Sequence, residues 1–272
     1  MQESTSYPGF RFDPLSYHYQ VSDMRVAASL LFFAYLLIGS GFAANTFKEE
    51  QLRYPRVRQA YAEKEEGMKA LLKQYGIRTN EVQLYLRGFK HEQQLEVWAK
   101  NRSDSQYQRI KTYDMCRTSG ALGPKRKQGD GQIPEGYYHL SYFNPASNFH
   151  LSLKVNYPNR SDQILGQAGS LGGDIFVHGA CVTIGCIPIT DDKIKELYLL
   201  CVEAKNNGQP KIPITLFPAK LGNDVYSNLL AGQPNPKVKE LWIDLKAGYD
   251  HFNVNKTLPT ISFLDNGRHR IQ

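Results

Sequence analysis

The hydrophobic period changes at Ile77, and that change bounds the fold. From Phe47 to Tyr75 the apolar positions Leu52, Val57, Tyr61, Met68, Leu71, Leu72 and Tyr75 recur at helical spacing. Pro55 interrupts the first part, and Gly76 closes the pattern as a C-terminal cap would. One or two helices are therefore expected before residue 77. Beyond it, Val82, Leu84 and Leu86, then Leu95, Val97 and Ala99, alternate on either side of a polar centre, which predicts a β-hairpin. Tyr107–Arg117, Tyr137–Phe143 and Phe149–Val155 predict further strands. The stretch TSGALGPKRKQGDGQIPEG, 118–136, holds five glycines after Ser119 and two prolines, so neither helix nor strand persists through it.

The segment YPNRSDQIL, 157–165, predicts a turn, and DIFVHG, 174–179, a buried strand. Thr190 predicts a side-chain helix cap with Asp191 and Asp192 in the first turn, where acids suit the helix dipole. Ile194, Leu197, Tyr198 and Cys201 form the inner stripe of that helix, and Asn207-Gly208 ends it. Lys211–Pro218 is punctuated by prolines, as an edge or end strand would be. Val238, Leu241, Trp242, Leu245 and Tyr249 predict another helix near the C-terminus. The class is α+β and mainly β: a helical segment over 45–76, a main β-rich domain over 77–220 and a C-terminal helical extension over 221–272.

Residues 1–44 read as an N-terminal extension and a signal. Met24-Arg25 precedes the uncharged run Val26–Ile38, and small residues follow it, including Gly41 and Ala43. The run is short for a spanning helix, which needs about 20 residues. It is expected to direct export and then either be cleaved or stay as an anchor; membrane contact is expected only there. Residues 1–23 fit poorly in front of a signal, so translation is expected to start at Met24.

Net charge is +7, which favours anionic partners. The densest cluster, Lys125-Arg126-Lys127, lacks the aromatic interleaving of a single-strand binder, so no nucleic-acid role is expected. Four cysteines, Cys116, Cys181, Cys186 and Cys201, allow two bridges with three pairings in an oxidising compartment.

The chemistry concentrates in DIFVHGACVTIGCIPITDD, where His178 and Cys186 lie eight positions apart. A thiol is mostly protonated at neutral pH, and a histidine within reach can take its proton. A turn containing glycine can aim backbone N–H groups at the oxyanion that attack on a carbonyl creates. His178 ends a strand, Gly179 breaks it, and Gly185-Cys186 sits on a turn just before a helix. Other readings of the same residues are buried structural groups, a Cys181–Cys186 bridge, or a zinc site, for which His178, Cys181 and Cys186 supply only three ligands. Cys181 is a rival nucleophile but lacks a preceding glycine and a following helix. Cys201 reads as core, and Cys116 as core or as a partner for Cys181. His139 and His150 lie on predicted strands and could face a cleft.

The segments VHG and TIGCIPIT, with GDGQIPEGYY upstream, resemble the L,D-transpeptidase catalytic (YkuD-type) domain, whose motif is His-Gly, a spacer, then Ser/Thr-x-Gly-Cys and an apolar residue. The resemblance is to the short-spacer, murein transpeptidase-like branch. It extends through Leu122–Tyr138, Asn144–Asp162 and Leu241–Phe252, covering about 77–252. It implies a sandwich-like β-rich fold, Cys186 as acylated nucleophile and His178 as general base, its other ring nitrogen oriented by a backbone carbonyl. The 184–186 turn, Gly185 included, would supply oxyanion donors, and Thr183 a hydrogen bond within the site. Two positions depart from the family pattern: Ile184 where many members have histidine, and Pro188 where many carry arginine or asparagine. The implied reaction forms a thioester on peptidoglycan stem peptides, resolved by an amine acceptor or by water. Some members of that branch hydrolyse the link to an attached lipoprotein, which makes a wall-attached lipoprotein a second expected partner. No metal or cofactor is expected. The alternative is a non-catalytic wall-binding module that keeps the fold.

Overall fold

A computed structural model describes residues 46–272, which form one compact unit. The signal, the anchor and the start at Met24 lie outside the described residues.

The predicted N-terminal helices are α1 (Phe47–Gln51) and α2 (Pro55–Gln74). Pro55 starts α2 rather than breaking it, because a first-turn residue needs no N–H acceptor. Gly76 has φ +69°, the left-handed geometry that glycine adopts without strain at a helix end. The hairpin is β1 (Val82–Phe89) and β2 (Gln94–Asn101), and all six alternating residues are fully buried. β3 (Gln108–Asp114), β4 (Gly136–Asn144) and β5 (Ser152–Val155) follow. The segment expected to turn after β5 does so only as far as Asn159. There a reciprocal capping box between Asn159 and Asp162 starts α3 (Arg160–Leu165). β6 (Phe176–His178) and β7 (Ile187–Pro188) pair in parallel.

α4 (Asp191–Asn206) carries the chain from β7 to β8 (Ile212–Phe217). Its predicted stripe is fully buried. Thr190 caps it by position only: its φ is +76° and its side chain makes no capping bond. The eight strands form one curled sheet in the order β3-β2-β1-β8-β4-β5-β6-β7. β8 is thus central, parallel to β1 and antiparallel to β4, not an edge strand. Its prolines are tolerated because pairing with β1 starts only at Ile214. The backbone N–H and C=O of Leu84, just outside that ladder, are taken by the side-chain amide of Gln209 at 2.8 Å each.

α2 and α4 cover one face of the sheet. The C-terminal extension serves the other, with α5 (Asn223–Gly232), α6 (Pro236–Asn255) and a hairpin that the periodicity did not reveal, β9 (Ile261–Phe263) with β10 (His269–Ile271). Beneath α6, Arg87 is buried with its guanidinium over the rings of Phe89, Phe217, Tyr249 and Phe252.

The start of the glycine-rich loop between β3 and β4 is tied to the rest of the fold by a buried carboxylate. Glu135 Oε1 accepts from Gly123 N at 2.7 Å and pairs with Lys90 Nζ at 3.0 Å, while Oε2 accepts from Trp242 Nε1 of α6 at 2.8 Å. Both charged side chains are buried, so their burial is tolerated only while they stay paired. Lys90→Met strands the Glu135 charge and is expected to cost about 3–5 kcal/mol of stability. Trp242→Phe removes one neutral donor and should cost about 1–3 kcal/mol. Denaturant unfolding of the two variants tests the ordering; equal small losses would overturn it.

Candidate active site

β6 and β7 place the two principal residues. Val177 pairs with Ile187 and His178 with Pro188. Continuing that register back by one residue sets Cys186 beside Phe176. Alternate residues of a strand share a face, so Cys186 and His178 lie on the same face of the pair, opposite the face of Val177 and Ile187 that enters the core.

His178 is 1% exposed, and its Nδ1 is hydrogen-bonded to Gly179 O. A carbonyl can only accept, so Nδ1 carries the proton and Nε2 is left as the basic nitrogen. The Phe149 ring lies over the imidazole, with centroids 4.6 Å apart. Burial pushes the imidazole pKa down, while the Gly179 carbonyl and the charge of Asp191 pull it up, leaving it below its usual value.

Cys186 is half-buried and free. It lines a cleft of about 320 Å³ with Lys125, Gln128, Gly172, Asp174 and Ile184. Its thiol donates to Asp174 O at 3.4 Å. Burial raises the thiol pKa, the Phe176 N–H lowers it, the Asp174 carboxylate raises it and Lys125 lowers it, with a net rise. Both shifts favour the uncharged forms. Both directions weigh against the ion pair that the proximity argument alone would suggest.

The turn before Cys186 is held by Thr183, whose Oγ1 donates to Cys186 O at 2.7 Å and accepts from Gly185 N at 3.1 Å. The Gly185 amide is therefore occupied and unsuited to the oxyanion role expected of it. Gly185 is required instead for its backbone: φ is +136°, and a Cβ would sit 3.0 Å from Gln132 O. Among the described residues, the N–H groups of Ile184 and Cys186 have no recorded acceptor. Ile184 is 88% exposed at the apex of the turn.

Cys181 is bridged to Cys116, which removes it as rival nucleophile and as thiolate ligand and settles the pairing left open above. Cys201 is free and buried in the core. His139 lines a different cavity, on the sheet face under the C-terminal extension. His150 follows Phe149 with φ +68° and a buried Nε2 that has no partner among the described residues.

Three site residues escaped the sequence reading. Phe149 looked like an ordinary strand residue. Asp191 looked like a helix-start acid, yet its Oδ1 accepts from Ala180 N at 2.6 Å and steadies the loop after His178. Lys125 looked like surface charge. Its Nζ is 2.6 Å from Asp130 and bonded to Lys127 O, and Arg126 pairs with Asp162, so two charges of the basic cluster are internally matched. The GPKRKQGDG spacing, with an acid five residues after Lys125, was the available signal.

The family described as the L,D-transpeptidase catalytic domain (YkuD) matches residues 85–214. "Putative L,D-transpeptidase YafK" of Escherichia coli strain K12 is 33% identical over 193 residues, spanning 68% of this chain and 72% of that protein. Two solved structures overlap more loosely. The helical cell shape determining protein Pgp2 from Campylobacter jejuni is 16% identical over 73% of this chain and 80% of that one, with a TM-score of 0.41. Mycobacterium tuberculosis L,D-transpeptidase 1 is 15% identical over 50% of this chain and 62% of that one, with a TM-score of 0.29.

A neutral thiol predicts a late pH profile. Alkylation of Cys186 by iodoacetamide should accelerate through a midpoint above the free-thiol value of about 8.5. Peptide mass spectrometry follows it site by site. A rate already at its plateau by pH 6 would show that the ion pair forms at rest. Gly179→Ala should lower activity several-fold, because its Cβ would collide with Asp191 Oδ1 and lie 2.7 Å from Phe149 O.

Proposed function

The chain belongs to the L,D-transpeptidase catalytic-domain family, which acts on peptidoglycan stem peptides, and from that premise we propose that it is an exported cysteine acyl transferase with Cys186 as nucleophile. The observation that carries the proposal is the β6–β7 register, which sets Cys186 and the fixed imidazole of His178 on one sheet face.

In the proposed reaction, Cys186 leaves the Asp174 carbonyl and passes its proton to His178 Nε2 as the sulfur attacks a stem-peptide carbonyl. The Gly179 carbonyl and Asp191 stabilise the imidazolium that forms, consistent with the direction in which both act on His178. The N–H groups of Cys186 and Ile184 receive the oxyanion. The imidazolium then protonates the departing amine, leaving a thioester on Cys186. An incoming amine gives a crosslink or an attached protein, and water gives hydrolysis; in either case His178 accepts the proton of the attacking group and returns it to the Cys186 sulfur as the thioester bond breaks. Thr183 and Gly185 act by holding the turn. Lys125 lines the cleft but is paired with Asp130, and Pro188 carries no charge: it lies in β7, where its carbonyl accepts from Cys116 N at 3.0 Å. A wall-attached lipoprotein is proposed as one substrate or acceptor.

Export is supported by the apolar run Val26–Ile38 and by the Cys116–Cys181 bridge, since such bridges persist in oxidising compartments. Among the described residues, no helix is long and apolar enough to cross a membrane.

Cys186→Ala and His178→Ala should each reduce turnover of purified stem peptides by at least about 10³-fold, with the Cys186 thioester mass absent from the first. Product masses with and without an added amine separate ligation from cleavage. Unchanged turnover in Cys186→Ala overturns the nucleophile assignment. Binding to wall material with no turnover in the wild type would favour a wall-binding module instead.

A further inference from the structure

A cavity of about 510 Å³ lies on the sheet face that also bears Cys186, roofed by the C-terminal segment beyond the family match. Tyr85, Tyr137 and His139 line its floor, Asn156 its side, and Leu258 and Phe263 its roof. The site described above uses none of them.

Two features point to a ligand. First, polar atoms at the cavity lack protein partners. Asn156 Oδ1 is taken by His139 N at 2.7 Å, but among the described residues neither Asn156 Nδ2 nor the His139 ring has a recorded hydrogen bond. Both side chains are half-buried residues of the cavity lining, and their polar atoms keep accessible surface. Second, the cavity and the nucleophile lie on one sheet face, and a row of side chains that starts near the cavity crosses the strands toward Cys186. Three residues beyond His139, Tyr142 on β4 faces Lys154 on β5, and Lys154 faces Phe176 on β6. The register continued by one residue brings the row to Cys186. Tyr142 is 53% exposed, and Lys154 Nζ lies 5.6 Å from the centre of the Phe176 ring. From β4 to β7 is three strand spacings, about 14 Å.

Aromatic rings beside an unpaired amide and imidazole suit a ligand with apolar C–H faces and a rim of hydroxyl and acetamido groups. We propose that the cavity seats the sugar portion of a peptide-bearing glycan, and that the Tyr142–Lys154–Phe176 row carries the peptide from there to Cys186. The proposal rests on the reading of Cys186 as a stem-peptide nucleophile, and it adds the prediction that the sugar is recognised too.

The test compares a free stem peptide with the same peptide on an N-acetylated disaccharide. The wild type should show a KM about tenfold lower for the disaccharide-linked peptide, at similar kcat, as expected for binding outside the reacting centre. His139→Ala and, separately, Phe263→Ala should abolish that preference while leaving kcat and KM for the free peptide unchanged. Calorimetry with the peptide-free disaccharide should show binding to the wild type and its loss in His139→Ala. Equal KM for the two substrates in the wild type, or an unchanged preference in both variants, overturns the proposal. If neither substrate is turned over, the Cys186 reading falls; the disaccharide titration then decides the cavity alone, and absence of heat overturns it.

Discussion

The carboxylate of Glu135, with no exposed side-chain surface, ties together three stretches far apart in sequence. Lys90 comes from the turn of the first hairpin, Gly123 from the loop that borders the Cys186 cleft, and Trp242 from the C-terminal helix α6. An ion taken out of water is tolerated only with its partners in place. The two ends of the cleft loop are therefore tied to this set, and Asp130 holds the part between them. The same loop carries Lys125, Gln128 and Gly129, which line the cleft, and Gln132, whose carbonyl leaves no room for a side chain at Gly185. The family match stops at residue 214, yet through Glu135 the wall of the cleft depends on packing contributed by α6.

The sequence was most legible where a local period decides the outcome. Alternation around residues 82–99 and the stripe Ile194–Cys201 follow from one buried face each, and both faces are buried. The order of His178, Gly179, Gly185 and Cys186 was also local, and β6 with β7 turns that order into a shared face. Long-range pairing was not legible. Prolines made Lys211–Pro218 look like an edge, but an edge is defined by what lies alongside, and here β1 and β4 flank it, with the Gln209 amide covering the one mismatch. The Cys116–Cys181 pairing, the Phe149 cover and the Asp191 contact depend on the same unseen geometry. The α3 capping box was legible in principle, because Asn159 and Asp162 stand at the right spacing.

The connection between His178 and Cys186 is anchored at several points. Ala180 N–H is held by Asp191, Cys181 is joined to Cys116, and Thr183 closes the turn onto Cys186 O. Cys116 also bonds to the chain beyond the nucleophile, through Pro188 O. Base and nucleophile are thus fixed from both sides of their linker. The thiol must still leave the Asp174 carbonyl before it can pass a proton to His178.

The uncharged resting pair has a chemical consequence in the oxidising compartment proposed for this protein. Oxidation and disulfide exchange proceed through thiolate. A permanently ionised Cys186 would be exposed to both, close in sequence to an existing bridge at Cys181. Burial opposes charge on each partner and outweighs the help that the Phe176 N–H and Lys125 give the thiolate. A bound peptide excludes water, offers a carbonyl to attack and brings the oxyanion donors into use, all of which favour the charge-separated state. Burial therefore favours a protonated sulfur in the empty cleft, and an occupied cleft shifts the balance toward proton transfer to His178.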